Sequence, residues 1–421
     1  MEFLHFQEWL AKIGIDGRGR AFKAQVTIFN YNRPGTNPLF RASHRPPSQG
    51  DAARPYNFAG GMQRPMPDAT LEKIQKRVGK ALREIVEECD KEHGIRLHSP
   101  LLFDWLREFV LRNGKSIRST LFIIAYSGFA KRVVPRLYRS AAALELAHDF
   151  VLIHDDIIDR ADTRRGAPAL HHRINDYIRR LPLPSPVRGE DLSLVMGDIL
   201  YALAMREFLS IKAEPLRTMG ALRIFLETGF LTGHGQFAEL VSGFKSIADI
   251  TEAEIYRTYD LKTAGYTFAG PLAAGALLGG ASKTQADRLF GAGMLLGRAF
   301  QIRNDLLDIY QGNNLQKKSD FKDVTGARRT ILLWHAYHHG RKTERGFLDR
   351  LLAASELGER DFSRFAEVLT ESGSRQFAES EIGRLAERAF SDGMLFSMKS
   401  DCADLLAAYS RSLLFSDAPA A

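Results

Sequence analysis

From about residue 69 onward, apolar positions recur three and four residues apart almost without a break, the spacing of amphipathic helices that share a core. Runs alternating apolar and polar at a period of two, as half-buried strands would, are lacking there. Thr251-Glu252-Ala253-Glu254 and Ser282-Lys283-Thr284-Gln285 have the form of capping boxes and are predicted to open helices. No long Pro/Gly/Ser-rich linker divides the stretch. The pattern predicts one all-α domain over residues 67–416, of roughly ten or more helices.

The first 66 residues are different in kind. From Asn32 to Pro65 they are rich in Pro, Gly, Asn, Ser and Arg and poor in aliphatic residues, which predicts a disordered or loosely attached segment. Residues 417–421 read as a short tail. The chain has 421 residues, 45% of them hydrophobic, enough to bury a large core. Its net charge is +8, but residues 1–66 carry nine Lys or Arg against four Asp or Glu, so most of the surplus belongs to that segment. A nucleic-acid surface is therefore not needed to explain the charge. The N-terminus lacks a signal peptide's charged and long apolar regions; its Arg richness fits an organelle transit peptide, against which Glu2 and Glu8 count.

The longest uncharged window, Thr263 to Ser282, holds five glycines and Pro271, which suits close helix packing better than a membrane span. Cys89 and Cys402 stand alone, as ordinary thiols of a reducing compartment would, and a cytoplasmic location is the expectation. His171-His172 is expected on a helix surface. No Ser-His-Asp arrangement, P-loop or dinucleotide-binding glycine pattern is present.

The candidate chemistry lies in two acidic clusters. Leu152-Ile153-His154-Asp155-Asp156-Ile157-Ile158-Asp159 places Asp155 and Asp159 one helical turn apart, so both project from one face. Clustered carboxylates beside a core need a cation, and Mg²⁺ suits one or two carboxylates combined with substrate phosphates. Arg164 and Arg165, just downstream, could hold the same phosphates through bidentate contacts. Far along the chain, Gln301, Asn304 and Asp308 lie at i, i+3 and i+7, again on one helix face. Two such clusters on facing helices could hold a metal-bridged diphosphate between them.

These residues resemble the trans-isoprenyl diphosphate synthases, or polyprenyl synthetases, whose pattern is an aspartate-rich DDxxD motif and a second one after Phe-Gln-Ile, here Phe300-Gln301-Ile302. Further elements follow in the family's order: Gly114-Lys115-Ser116-Ile117-Arg118, His148 seven residues before Asp155, the Arg164-Arg165 pair, Gly197-Asp198-Ile199-Leu200, Gly235-Gln236 and Lys262-Thr263. The resemblance runs from about residue 70 to about 415. It implies an isoprenoid-synthase bundle around a central cavity, a homodimer, several Mg²⁺ ions, and two substrates, isopentenyl diphosphate and an allylic diphosphate. It further implies that Asp155, Asp159, Asn304 and Asp308 hold the metals. Arg164, Lys262, Thr263 and Gln301 would serve the allylic diphosphate, and Lys115, Arg118, His148 and Arg165 isopentenyl diphosphate. The reaction implied is ionisation of the allylic substrate, attack by the isopentenyl double bond and loss of a proton.

Two departures stand out. Asn304 occupies a position where the family usually has Asp, keeping an oxygen ligand but losing charge. Downstream, the family's Gly-Lys elements are replaced by Lys317-Lys318 and Arg328-Arg329, which leaves open which of these reaches a phosphate. By resemblance, Phe150 and Val151, five and four residues before Asp155, form the floor that limits chain length. An aromatic there resembles the archaeal type of geranylgeranyl diphosphate synthase and implies a C20 product ahead of C15. Asn304 leaves room for a cyclase or lyase of the same fold, and a non-catalytic partner subunit is the third alternative.

Overall fold

The computed structural model describes residues 68–112, 114–310, 328–354, 357–391 and 398–416. The segment expected to be disordered, the tail at 417–421, and Lys317 and Lys318 lie outside them. Among the described residues the chain is almost entirely helical: α1 (Asp68–His93), α2 (Pro100–Val110), α3 (Ile117–Phe129), α4 (Leu137–Ile158), α5 (Leu170–Ile178), α6 (Gly189–Leu209), α7 (Pro215–Ser242), α8 (Glu252–Tyr259), α9 (Gly270–Gly279), α10 (Lys283–Tyr310), α11 (Ile331–His339), α12 (Lys342–Ala353), α13 (Glu359–Glu371), α14 (Ser374–Ser391) and α15 (Ser400–Phe415). Both expected capping boxes form. Thr251 Oγ1 accepts from the Glu254 N–H at 3.2 Å while Glu254 accepts from the Thr251 N–H at 2.8 Å, and Ser282 and Gln285 bond in the same reciprocal way.

The bundle is knit by α4 against α6, α3 against α9, and α10 against both α14 and the segment that follows α8. The small-residue window lies at its centre. Gly275 and Gly279 of α9 press on the backbone of α3, so that an added Cβ would collide with the carbonyl oxygens of Phe122 and Tyr126. No described helix is long and apolar enough to cross a membrane. Cys89 and Cys402 are free, buried thiols.

Two local features depart from the expected pattern. Residues Asp260–Ala269, between α8 and α9, form a π-helix. The arginine loop is a minimal hairpin, Thr163–Arg164 paired with Ala167–Pro168. Its two central residues, Arg165 (φ 52°) and Gly166 (φ 74°), have the positive φ values of a type I′ turn. His171 also differs: it is buried, at 2% exposure, rather than on a helix surface, because α5 packs against α6 and turns that residue inward.

Candidate active site

All fourteen candidate residues line one cavity of about 1230 Å³: Asp155, Asp159, Arg164, Arg165, Lys115, Arg118, His148, Lys262, Thr263, Gln301, Asn304, Asp308, Phe150 and Val151. The last turn of α4 supplies one wall. Asp155 and Asp159 face the cavity, while Asp156, between them in sequence, turns into the protein and is 1% exposed. It accepts from Arg164 Nε at 2.8 Å and from the same guanidinium's Nη2. The middle aspartate thus fixes an arginine instead of facing a metal.

The outer two aspartates meet protein cations. The Arg328 guanidinium pairs with Asp159, whose pKa is raised by burial and by neighbouring Asp155. Lys262 Nζ lies 3.7 Å from Asp155 Oδ1 and bonds to Glu239. Glu239, on α7, was not among the candidates. The available signal was Gln236 three residues earlier, since positions three apart share a helix face. Arg328 and Arg329 both line the cavity but take different partners. Arg328 enters the cavity's acidic cluster, whereas Arg329 donates to the carbonyls of Gly243 (3.3 Å) and Lys245 (3.4 Å), tying its loop to the end of α7.

Lys262 and Thr263 sit on the π-helix, whose wider turn is held by close packing from both sides. An added Cβ at Gly235 of α7 would lie 2.5 Å from the Lys262 nitrogen, and one at Gly297 of α10 would lie 2.5 Å from Ala264 Cα. A buried fork from Arg298 to Asp260, at 3.0 and 2.6 Å, fixes the segment's first residue. Thr263 then donates to Gln301 Oε1 at 2.7 Å.

On α10, which forms the opposite wall, Gln301 Nε2 donates to Asp305 Oδ1 at 2.9 Å and the Tyr259 hydroxyl donates to Oδ2. Burial pushes the Asp305 carboxyl up to about 7. The half-buried Asn304 presents a buried amide oxygen that has no hydrogen-bond partner among the described residues, and Asp308 lines the cavity one turn further on. The family-typical aspartate position therefore holds an oxygen that is unpartnered and uncharged.

A second cationic group lies apart from these aspartates. Ser116, in the left-handed region at φ 48°, turns the chain into α3 and brings Lys115 and Arg118 to the cavity. Arg118 donates to Thr267 Oγ1 at 2.8 Å and lies 4.2 Å over the Tyr266 ring. The Arg165 guanidinium crosses Gly114 and pairs with buried Asp149 at 3.0 Å. The hairpin thereby sends its two arginines to different partners, Arg164 to Asp156 and Arg165 to Asp149. Burial, helped by Arg118, Arg165 and Arg164, holds His148 well below the usual imidazole range, so it is neutral at pH 7. Burial and Arg303 lower the Lys115 pKa.

Around Phe150 the cavity lining is mostly apolar. The Phe150 ring packs at 5.1 Å from Tyr201 and 4.6 Å from His154, with Met205, Phe225 and Ala274 among the other lining residues.

Among the described residues no three Asp, Glu, His or Cys side chains form a ready-made metal cage. Mg²⁺ needs none, because it keeps several waters and shares substrate phosphates with one or two carboxylates. Three cavity-lining aspartates, Asp155, Asp159 and Asp308, and the orphaned Asn304 oxygen fit that donor set.

Known proteins carry the same architecture. In sequence the chain is similar to a geranylgeranyl diphosphate synthase of Methanosarcina mazei, 29% identical over 282 residues, spanning 66% of this chain and 79% of that protein. It is also similar to a geranylfarnesyl diphosphate synthase of Natronomonas pharaonis, 27% identical over 311 residues, spanning 70% of this chain and 84% of that one. In fold it resembles the crystal structure of geranylgeranyl pyrophosphate synthase from Corynebacterium glutamicum complexed with isoprenyl diphosphate and magnesium, with a TM-score of 0.73 at 24% identity over 82% of this chain and 99% of that one. The sequence profile described as polyprenyl synthetase matches residues 99–369, well over half of the chain, and the chain belongs to that family.

Proposed function

We propose that the cavity joins isopentenyl diphosphate to an allylic diphosphate, giving a linear (E)-prenyl diphosphate. The observation that carries this is the presence of two separate cationic groups around one cavity, Lys262 with Arg328 at the aspartates and Lys115 with Arg118 and Arg165 away from them. A cyclase or lyase needs only the first. The intact second group favours a synthase.

Asp155, Asp159, Asn304 and Asp308 would hold Mg²⁺, which supplies positive charge against a departing diphosphate. Around it, Lys262 and Arg164 add charge on the same side, and Thr263 and Gln301 orient the allylic diphosphate through their mutual hydrogen bond. Lys115, Arg118 and Arg165 hold the diphosphate of isopentenyl diphosphate. The Tyr266 hydroxyl lies 3.4 Å from His148 Nδ1, and when it donates there the ring proton sits on Nε2, free to donate to that same diphosphate. The apolar lining around Phe150 keeps water from the allylic cation, so that the isopentenyl double bond is the available nucleophile. The released diphosphate takes the final proton, and no side-chain base is assigned.

Phe150, packed on Tyr201, is the proposed floor, and the proposed main product is C20. The names of several relatives, geranylgeranyl diphosphate synthases, support that length. A homodimer is proposed as well. Val195 on α6 and Leu216, Met219, Phe230 and Phe237 on α7 are 56–81% exposed, an apolar surface that a second copy would cover; light scattering on the purified chain should give twice the monomer mass. The test of the function is incubation with Mg²⁺, labelled isopentenyl diphosphate and dimethylallyl, geranyl or farnesyl diphosphate. Label should enter a linear product ending mainly at C20. Metal-dependent hydrocarbon from the allylic substrate alone, or no turnover with any pairing, would refute it.

A further inference from the structure

A directed set of hydrogen bonds connects the second acidic wall to the loop that brings Arg328 back into the cavity. Thr263 donates to Gln301, and Gln301 donates to Asp305 Oδ1 at 2.9 Å. From the other side, the Ile331 N–H donates to the Tyr259 hydroxyl at 2.9 Å, and that hydroxyl donates to Asp305 Oδ2. Both arms end on one buried carboxyl. Tyr259 and Asp305 are each 6% exposed, and Tyr256 packs edge-on against the Tyr259 ring at 6.4 Å, so the phenol is held in place.

The Ile331 N–H belongs to the first residue of α11, one of the first-turn donors that a helix leaves without an intrahelical partner. Tyr259 supplies that partner. Three residues earlier, Arg328 reaches Asp159, and between them Arg329 is tied to the carbonyls of Gly243 and Lys245. The loop Arg328–Thr330 is therefore pinned on one side by Arg329 and on the other by the phenol. The guanidinium that this loop presents is in contact with Asp159, one of the cavity-facing aspartates.

We infer that Tyr259 is a positioning residue for prenyl transfer: its hydroxyl fastens the start of α11 to Asp305 and so sets Arg328 against the allylic diphosphate. The inference rests on the prenyl-transfer reading of the cavity. Tyr259 acts by holding the loop that carries Arg328, and its second bond, to Asp305, joins that loop to Gln301. Removing its hydroxyl leaves the Ile331 N–H and one Asp305 oxygen buried without a partner, and the loop relaxes to satisfy them.

The test compares Tyr259→Phe, Arg328→Ala and the double variant with the wild-type chain. Tyr259→Phe should raise KM for the allylic diphosphate about tenfold, the scale of one hydrogen bond to a charged group, while KM for isopentenyl diphosphate stays as in the wild type. The double variant should lose no more than Arg328→Ala alone, because both changes remove the same contact. In substrate-free protein, hydrogen exchange at the Ile331 amide should accelerate while the amides of Asp260–Ala269 keep their protection. Should Tyr259→Phe fail to fold, Ile331→Pro deletes the same N–H at a position where helices accept proline, and it should reproduce the allylic KM effect. Wild-type allylic KM in the foldable variant, fully additive losses in the double variant, or unchanged exchange at Ile331 would overturn the inference. If the wild-type chain shows no prenyl transfer at all, the functional reading falls instead, and the exchange experiment still decides whether Tyr259 holds the loop.

Discussion

The two acidic walls both bury their middle carboxyl, Asp156 and Asp305, but differ at the positions that face the cavity. On α4 the outer aspartates face the cavity and meet side-chain cations, Lys262 near Asp155 and Arg328 on Asp159, while only the middle one, Asp156, is turned inward. On α10 the middle carboxyl, Asp305, is buried in a hydrogen-bond relay and the first position is an amide. The same spacing on two helices thus gives a wall with two cavity-facing carboxylates and one with a single carboxylate, Asp308, beside an amide. On the proposed reading, α4 would give a metal two carboxylates and α10 one, with the Asn304 amide oxygen beside it.

The strongest way to break that contrast is to remove charge from α4. Asp155→Ala should lower kcat/KM for condensation about 10²–10³-fold, the loss typical for one well-placed electrostatic contributor, as measured by incorporation of labelled isopentenyl diphosphate. Undiminished activity would remove α4 from the metal site. The contrast can also be reduced from the other side. Asn304→Asp adds a carboxylate to α10 and should lower the Mg²⁺ concentration for half-maximal rate by roughly threefold to tenfold, since ligand charge tunes hard-cation affinity. An unchanged Mg²⁺ dependence would mean that Asn304 is not a ligand.

A smaller effect on rate, but a clear one on product, is expected one turn below the α4 wall. Phe150→Ala removes the ring packed on Tyr201, and chromatography should show the main product shifting from C20 to C25 or longer. An unshifted product would move the floor elsewhere.

The smallest effect concerns α11, the helix anchored to the α10 wall. His335 stacks on Phe377 at 4.4 Å, and burial, with His339 nearby, pushes its pKa down to about 4. Between about pH 6.5 and 4 the unfolded chain therefore binds this proton more readily than the folded one, so its contribution to stability is present at neutral pH and lost on acidification. His335→Phe should show a smaller drop in Tm between pH 7 and pH 5 than the wild-type chain. An equal drop would show that His335 does not drive it.

Much of the α4 wall was legible from sequence, because helical spacing alone puts Asp155 and Asp159 on one face and His148 two turns before Asp155. The inward turn of Asp156 was not, since it depends on where the Arg164 hairpin folds back. The π-helix at Asp260–Ala269 carries no sequence periodicity of its own; it follows from the approach of Gly235 and Gly297 on two other helices. Glu239 and Tyr259 were hidden for a related reason, and Arg328 was legible as a candidate while its partner was not. Each acquires its role from a partner remote in sequence, Glu239 from Lys262, Tyr259 from Asp305 and Arg328 from Asp159. Buried His171 shows the same limit, because local polarity placed it outside while the packing of α5 against α6 turned it in.

The separation of the two diphosphates is tested most directly by calorimetric titration of the wild-type protein with each substrate class, with and without Mg²⁺. Isopentenyl diphosphate should bind with nearly the same affinity in both conditions, held by Lys115, Arg118 and Arg165. A non-ionising allylic diphosphate analogue should bind tightly only when Mg²⁺ is present and should not displace isopentenyl diphosphate. Equal Mg²⁺ dependence for both ligands, or competition between them for one site, would contradict a two-diphosphate cavity with its metals between the two acidic walls.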